Sequence, residues 1–66
     1  MIRNRVKMLR TKRGVTQQEC SEETGISITS LKRYERGVQI GDVHNLKCLS
    51  EYFGVSMDYL YGYGKD

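Results

Sequence analysis

The 66-residue sequence has no proline and no tryptophan, one phenylalanine, one histidine and two cysteines. Without proline, the breaks between its segments fall to glycine. Cys20 and Cys48 are too few for a disulfide scaffold, and with His44 they show no recognised metal-ligand spacing. No apolar run approaches the roughly 20 residues a membrane span needs. No apolar stretch follows the charges of Arg3, Arg5 and Lys7, so no signal peptide is expected. Residues 1–66 leave room for a single domain, and a chain this short buries roughly 60% of its unfolded surface. That supports one thin core and no deep substrate cavity. Hydrophobic residues at 38% and charged residues at 29% indicate a globular rather than a disordered chain. The class that remains is a soluble intracellular domain, expected in the cytoplasm.

The net charge of +3 conceals an uneven distribution. Residues 1–15 carry Arg3, Arg5, Lys7, Arg10, Lys12 and Arg13 with no acid among them. Residues 16–30 carry only Glu19, Glu22 and Glu23, and residues 31–40 set Lys32, Arg33 and Arg36 against Glu35. Two basic segments separated by an acidic one imply a face suited to a polyanion. Taken alone, the same pattern also fits a solvated basic helix.

No segment alternates at period two, and turn signals recur every ten to fifteen residues or so. Ile2, Val6 and Leu9 share one helical face, predicting a first helix from about residue 2 to Arg13, closed by Gly14. Thr16 and Glu19 form a T-x-x-E capping box for a second helix, with Cys20 inward and Gly25 at its end. Ser27 caps a third helix that turns Leu31 and Tyr34 inward and stops at Gly37. After the loop Val38-Gln39-Ile40-Gly41, Asp42 opens a fourth helix with Val43, Leu46, Leu49 and Phe53 inward. Ser56 caps a short fifth helix with Asp58 in its first turn and Met57 and Leu60 toward the core. The expectation is an all-α bundle of five helices.

The stretch from Thr16 to Gly37, TQQECSEETGISITSLKRYERG, is the informative one. Two short helices meet at Gly25-Ile26-Ser27, a turn too tight for an antiparallel pair. They therefore cross steeply, as in a helix-turn-helix whose second helix can enter the DNA major groove. Here the chain resembles the phage repressor/Cro-type (Xre-like) helix-turn-helix family of transcriptional regulators. The resemblance rests on Leu9-Arg10, G-x-TQ-x-E from Gly14 to Glu19, GIS at Gly25 to Ser27, YERG at Tyr34 to Gly37, and FGVSMDYLYG from Phe53 to Gly62. It covers nearly the whole chain.

The resemblance implies a lambda-repressor-like fold, a helix-turn-helix at about 16–37 and a recognition helix at about 27–36. It places Ser27, Ile28, Thr29, Lys32 and Arg33 at base edges. Chemistry supports two of these directly: Ile28 suits a thymine methyl, and Arg33 can donate bidentately to guanine. Ile28 also fits a hydrophobic staple or a stray surface position, and Arg33 a phosphate contact. Phosphate contacts are expected from Arg10, Gln17, Arg36 and Arg13, with Lys12 as an alternative to Arg13. The resemblance further implies a partly buried Arg10–Glu35 salt bridge; the alternative leaves both residues in solvent. Cys20, Ser21 and Thr24 depart from the family pattern, where Leu, Ala and an apolar residue are usual. Ser and Thr can bond back to the preceding turn, so a modest stability loss is expected. The loop after Gly37 lacks the proline often seen there.

Catalysis is not expected. A nucleophile needs a base within reach and a pocket that excludes water; Cys20 and Cys48 read as small buried hydrophobes and His44 as a surface residue. The expected function is sequence-specific binding of double-stranded DNA as a repressor, by operator occupancy and without a cofactor. One such domain reads about half a helical turn, so a homodimer on an inverted repeat is expected. Met57, Tyr59, Tyr61 and Tyr63 crowd more aromatic surface together than one short helix can hide, and mark the expected dimer interface. The alternative is a tail over the core. A second reading of the whole is a protein-interaction module that binds a toxin or antirepressor, which the acidic pair Glu22 and Glu23 would favour.

Overall fold

The computed structural model of the chain describes residues 4–38 and 40–63. Among them five helices follow in order: α1 Val6–Arg13, α2 Gln17–Thr24, α3 Ile28–Glu35, α4 Val43–Phe53 and α5 Met57–Leu60. The described residues contain no strand. No helix among them is long and apolar enough to cross a membrane. The fold is the five-helix, lambda-repressor-like arrangement that the sequence implies.

Local chemistry sets most of the boundaries. Thr16 Oγ1 accepts the Glu19 N–H at 3.0 Å while Glu19 Oε1 accepts the Thr16 N–H at 2.8 Å, completing the capping box. Ser27, Asp42 and Ser56 cap α3, α4 and α5 through their side chains. The first helix begins later than its hydrophobic spacing predicts, at Val6 rather than near residue 2. Asn4 Oδ1 accepts the Val6 N–H at 3.1 Å, a local turn that competes with another helical turn. Ile2 lies outside the described residues.

Val6, Leu9, Cys20, Ile26, Leu31, Tyr34, Ile40, Leu49 and Leu60 form the buried core. Two residues expected inside are not. Val43 is 70% exposed because, at 3.6 residues per turn, it stands about 120° from Leu49 around α4. Met57 is 40% exposed: it opens α5, and of that four-residue helix only Leu60 is buried. Ile40 takes up core space from the loop after α3, a position with no periodicity to reveal it. Burial pushes the Cys20 thiol above its ordinary value. A thiol held protonated in this way packs as a small hydrophobe and is a poor nucleophile.

The two ends of the described chain are joined. Arg5 N donates to Leu60 O at 2.8 Å, and Arg5 NH1 donates to Tyr59 O and Tyr63 O. The Arg5 guanidinium also stacks over the Tyr59 ring, 4.0 Å from its centroid. This lashing holds α5 against the start of α1.

Candidate nucleic-acid interface

Helix α3 has two opposed faces. Leu31 and Tyr34 point into the core, while Thr29, Lys32, Arg33 and Arg36 are exposed. The exposed four fall at i, i+3, i+4 and i+7, a single stripe about 180° around the helix from the buried pair. Among the described residues, none of the Lys32, Arg33 and Arg36 side chains meets an internal acceptor, so their charge faces outward uncompensated. Ile28 lies between the two faces and is half-buried. Ser27 is exposed but uses its hydroxyl in capping: it accepts the Ser30 N–H at 3.1 Å and donates to Ser30 Oγ at 2.9 Å.

Three residues lock this helix to its neighbours. Arg10 Nε donates to Glu35 Oε2 at 2.6 Å, and Arg10 NH2 donates to Glu35 Oε1 at 3.1 Å. The third nitrogen, NH1, donates to Val15 O at 2.8 Å. Gln17 Nε2 donates to the same Glu35 Oε1 at 3.0 Å. The side chains of Arg10 and Glu35 are 15% and 5% exposed. The Glu35 hydrogen bond pushes the Arg10 guanidinium above its ordinary value, against the burial that lowers it. One carboxylate thus pins α1, α2 and α3 together.

That geometry gives two of the expected phosphate residues internal partners. Arg10 has every guanidinium nitrogen turned to an internal acceptor, which makes it a brace between helices. Arg13 donates from NH1 to Tyr52 O at 2.8 Å and lies over the Tyr52 ring, 4.1 Å from its centroid. With Lys12 it borders a hollow of about 540 Å³ beside Leu9, Phe53, Val55 and Tyr59, away from the α3 stripe. Gln17 gives one amide hydrogen to Glu35, and its second N–H remains for an outside acceptor.

The turn between α2 and α3 uses the hydroxyls of Ser21 and Thr24. Ser21 Oγ donates to Ile26 O at 2.6 Å, and Thr24 Oγ1 accepts the Ile26 N–H at 3.2 Å while donating to Cys20 O at 2.7 Å. Thr24 thus bonds back to the preceding turn as expected, and the hydroxyls of Ser21 and Thr24 also tie the end of α2 to Ile26. Ser21→Ala is expected to lower stability by about 1 kcal/mol, because it leaves the part-buried Ile26 carbonyl short of a donor. A urea midpoint equal to or above that of the parent protein would contradict this. Gly25 at the corner has φ of +79°, and a Cβ built there would meet nothing within 4 Å. The position requires glycine for its left-handed backbone, not for space.

Some of what holds α3 is invisible in the sequence. Asn4 Nδ2 donates to Tyr34 O at 2.8 Å and Asn45 Nδ2 donates to Tyr34 Oη at 3.0 Å. Neither asparagine carries a local signal for this role, since each partner lies on a distant segment.

Residues 6–60 match the helix-turn-helix family model. The chain belongs to the helix-turn-helix family. This is a family of DNA-binding regulators, not enzymes. Over 58 residues the chain is 41% identical to the HTH-type transcriptional regulator ImmR of Bacillus subtilis (strain 168), covering 88% of this chain and 46% of that one. Over 56 residues it is 32% identical to the HTH-type transcriptional activator BcrR of Enterococcus faecalis, covering 85% of this chain and 28% of that one. The chain therefore spans less than half the length of either relative.

Proposed function

We propose that this helix-turn-helix chain is a sequence-specific binder of double-stranded DNA that represses transcription by occupying an operator. One observation carries the reading: Thr29, Lys32, Arg33 and the capping Arg36 form an exposed stripe along α3, and among the described residues none of the three cations meets an internal acceptor. In this reading Arg33 donates bidentately to guanine, Lys32 and Thr29 reach neighbouring base edges, and Ile28 meets a thymine methyl from the side of the stripe. Arg36 and the second N–H of Gln17 hold phosphates, which fix register without reading sequence. Ser27 contributes as the cap of the reading helix. The protein works with the nucleoid in the cytoplasm.

The partner-binding alternative loses ground on geometry. Glu23 Oε1 accepts the Tyr52 hydroxyl, and Glu22 accepts from Gln18 along its own helix at 3.0 Å. The acidic pair is thus directed at α4 and along α2, so it forms no free acidic patch next to the α3 stripe. The Glu23 bond also pushes the Tyr52 phenol above its ordinary value, keeping it protonated.

Selection on a random duplex library at about 100 mM salt tests the function, with salt fixed because phosphate-driven affinity falls steeply with ionic strength. An inverted repeat with half-site centres about 10 base pairs apart, or one turn more, is the expected product. Arg33→Ala should then relax preference at one position per half-site, at roughly 1–3 kcal/mol. A folded protein that enriches no motif would overturn the proposal.

Dimerisation through the α5 end is part of this reading. Tyr63 is 50% exposed beside the exposed Met57, while Tyr59 and Tyr61 are half-buried. The Tyr61 and Tyr63 rings lie 6.1 Å apart, close enough to present one aromatic surface. Tyr63→Ala should weaken the dimer by about tenfold in sedimentation equilibrium, with the helical signal unchanged. An unaltered dimer constant would remove this interface.

A further inference from the structure

His44 and Cys48 sit four residues apart on α4, and their side chains converge. Cys48 Sγ lies 3.5 Å from His44 Nε2. His44 is exposed and Cys48 half-buried, so the pair is at the surface. No part of the proposed DNA-reading stripe uses it. Tetrahedral zinc holds thiolate sulfur at about 2.3 Å and imidazole nitrogen at about 2.05 Å, which places two such ligand atoms about 3.6 Å apart. The observed separation matches that edge. We propose that His44 Nε2 and Cys48 Sγ form a two-ligand site for a thiophilic divalent cation, with Zn²⁺ the best fit.

The surroundings agree in sign. Cys48 borders an open hollow of about 340 Å³ shared with Glu23, Glu51 and Tyr52, whose carboxylates attract cations. The Asp42 carboxylate, capping the same helix, offsets the positive helix end near His44. Lys47 is exposed and opposes binding only weakly through solvent. Among the described residues no third His, Cys, Asp or Glu joins the pair. The two remaining corners of the tetrahedron therefore go to water, or to the same pair on a second copy.

Binding is an exchange without redox change. The hydrated cation gives up all its waters except those that complete the tetrahedron, and the Cys48 S–H bond breaks. Metal–sulfur and metal–nitrogen bonds form, and one proton leaves to solvent. His44 coordinates as the neutral tautomer with its hydrogen on Nδ1. Before binding, the same contact is a weak hydrogen bond between thiol and imidazole, its direction set by the tautomer of His44, that keeps the two atoms in range.

The test is titration of the reduced full chain with Zn²⁺ against a chromophoric competitor, with Co²⁺ as a spectroscopic probe. The expected result is saturable binding with a thiolate-to-cobalt charge-transfer band. Cys48→Ser should abolish that band, and both Cys48→Ser and His44→Gln should weaken zinc binding at least about tenfold, since losing even an outer-shell partner costs that much. One ion per chain or one per two chains both support the site. Absence of binding at about 100 µM Zn²⁺, a cobalt spectrum without the thiolate band, or affinity unchanged in His44→Gln would each overturn it.

Discussion

Glu35→Gln is expected to lower the melting temperature by roughly 10 °C in the absence of DNA. Glu35 accepts from Arg10 Nε, Arg10 NH2 and Gln17 Nε2 with its two oxygens. A glutamine amide supplies one oxygen and one NH2, so a donor faces Arg10 in either orientation, and Gln17 as well in one of them. The charge on Arg10 then stays only 15% exposed with no anion beside it. Breaking a buried pair by removing one partner typically costs 3–5 kcal/mol, roughly. Residual exposure and the oxygen that remains reduce this to about 2 kcal/mol, and each kcal/mol moves the midpoint of a domain this size by roughly 4–8 °C. Thermal melting followed by circular dichroism checks it; an unchanged midpoint would show that Glu35 does not brace the fold.

The second large effect concerns binding. Lys32→Glu combined with Arg33→Glu should lower operator affinity at least about a hundredfold at about 100 mM salt. Both side chains are exposed and, among the described residues, neither meets an internal acceptor, so their reversal leaves the folded state nearly untouched. A lost bidentate base contact is worth roughly 1–3 kcal/mol, and each new carboxylate adds repulsion from the phosphates. Equilibrium binding on the selected operator, with a melting curve as control, separates the two effects. Affinity retained within about threefold would exclude α3 as the reading helix. Loss of DNA binding with a retained protein partner would show two separate surfaces.

Residues whose role is local were legible in the sequence. The Thr16–Glu19 box, the Ser27 and Asp42 caps and the glycine corner at Gly25 follow from hydrogen-bonding groups within a few residues of one another. The outward placing of Thr29, Lys32 and Arg33, and of Arg36 as a phosphate contact, came from the family resemblance, and the structure sets the four in one exposed stripe. Failures came where periodicity was extended past the end of the support beneath it. Val43 and Met57 each open a helix, and a helix opening has core under only part of its first turn. The contacts of Ser21 and Thr24 with the carbonyl and N–H of Ile26, across the turn, carried no such local signal.

By itself, then, the amino-acid order determined the five helices, their caps and the sign and spacing of charge on α3. Those are properties of neighbours along the chain, governed by short-range sterics and hydrogen bonds. Tertiary structure decided which cations are free. Arg10, Arg13 and Arg33 are the same chemical group in similar sequence surroundings. Glu35 takes the first, the ring and carbonyl of Tyr52 take the second, and the third keeps its charge for the outside. That allocation depends on acceptors brought close only by folding, and charge interactions are set by distance through space rather than by separation along the chain.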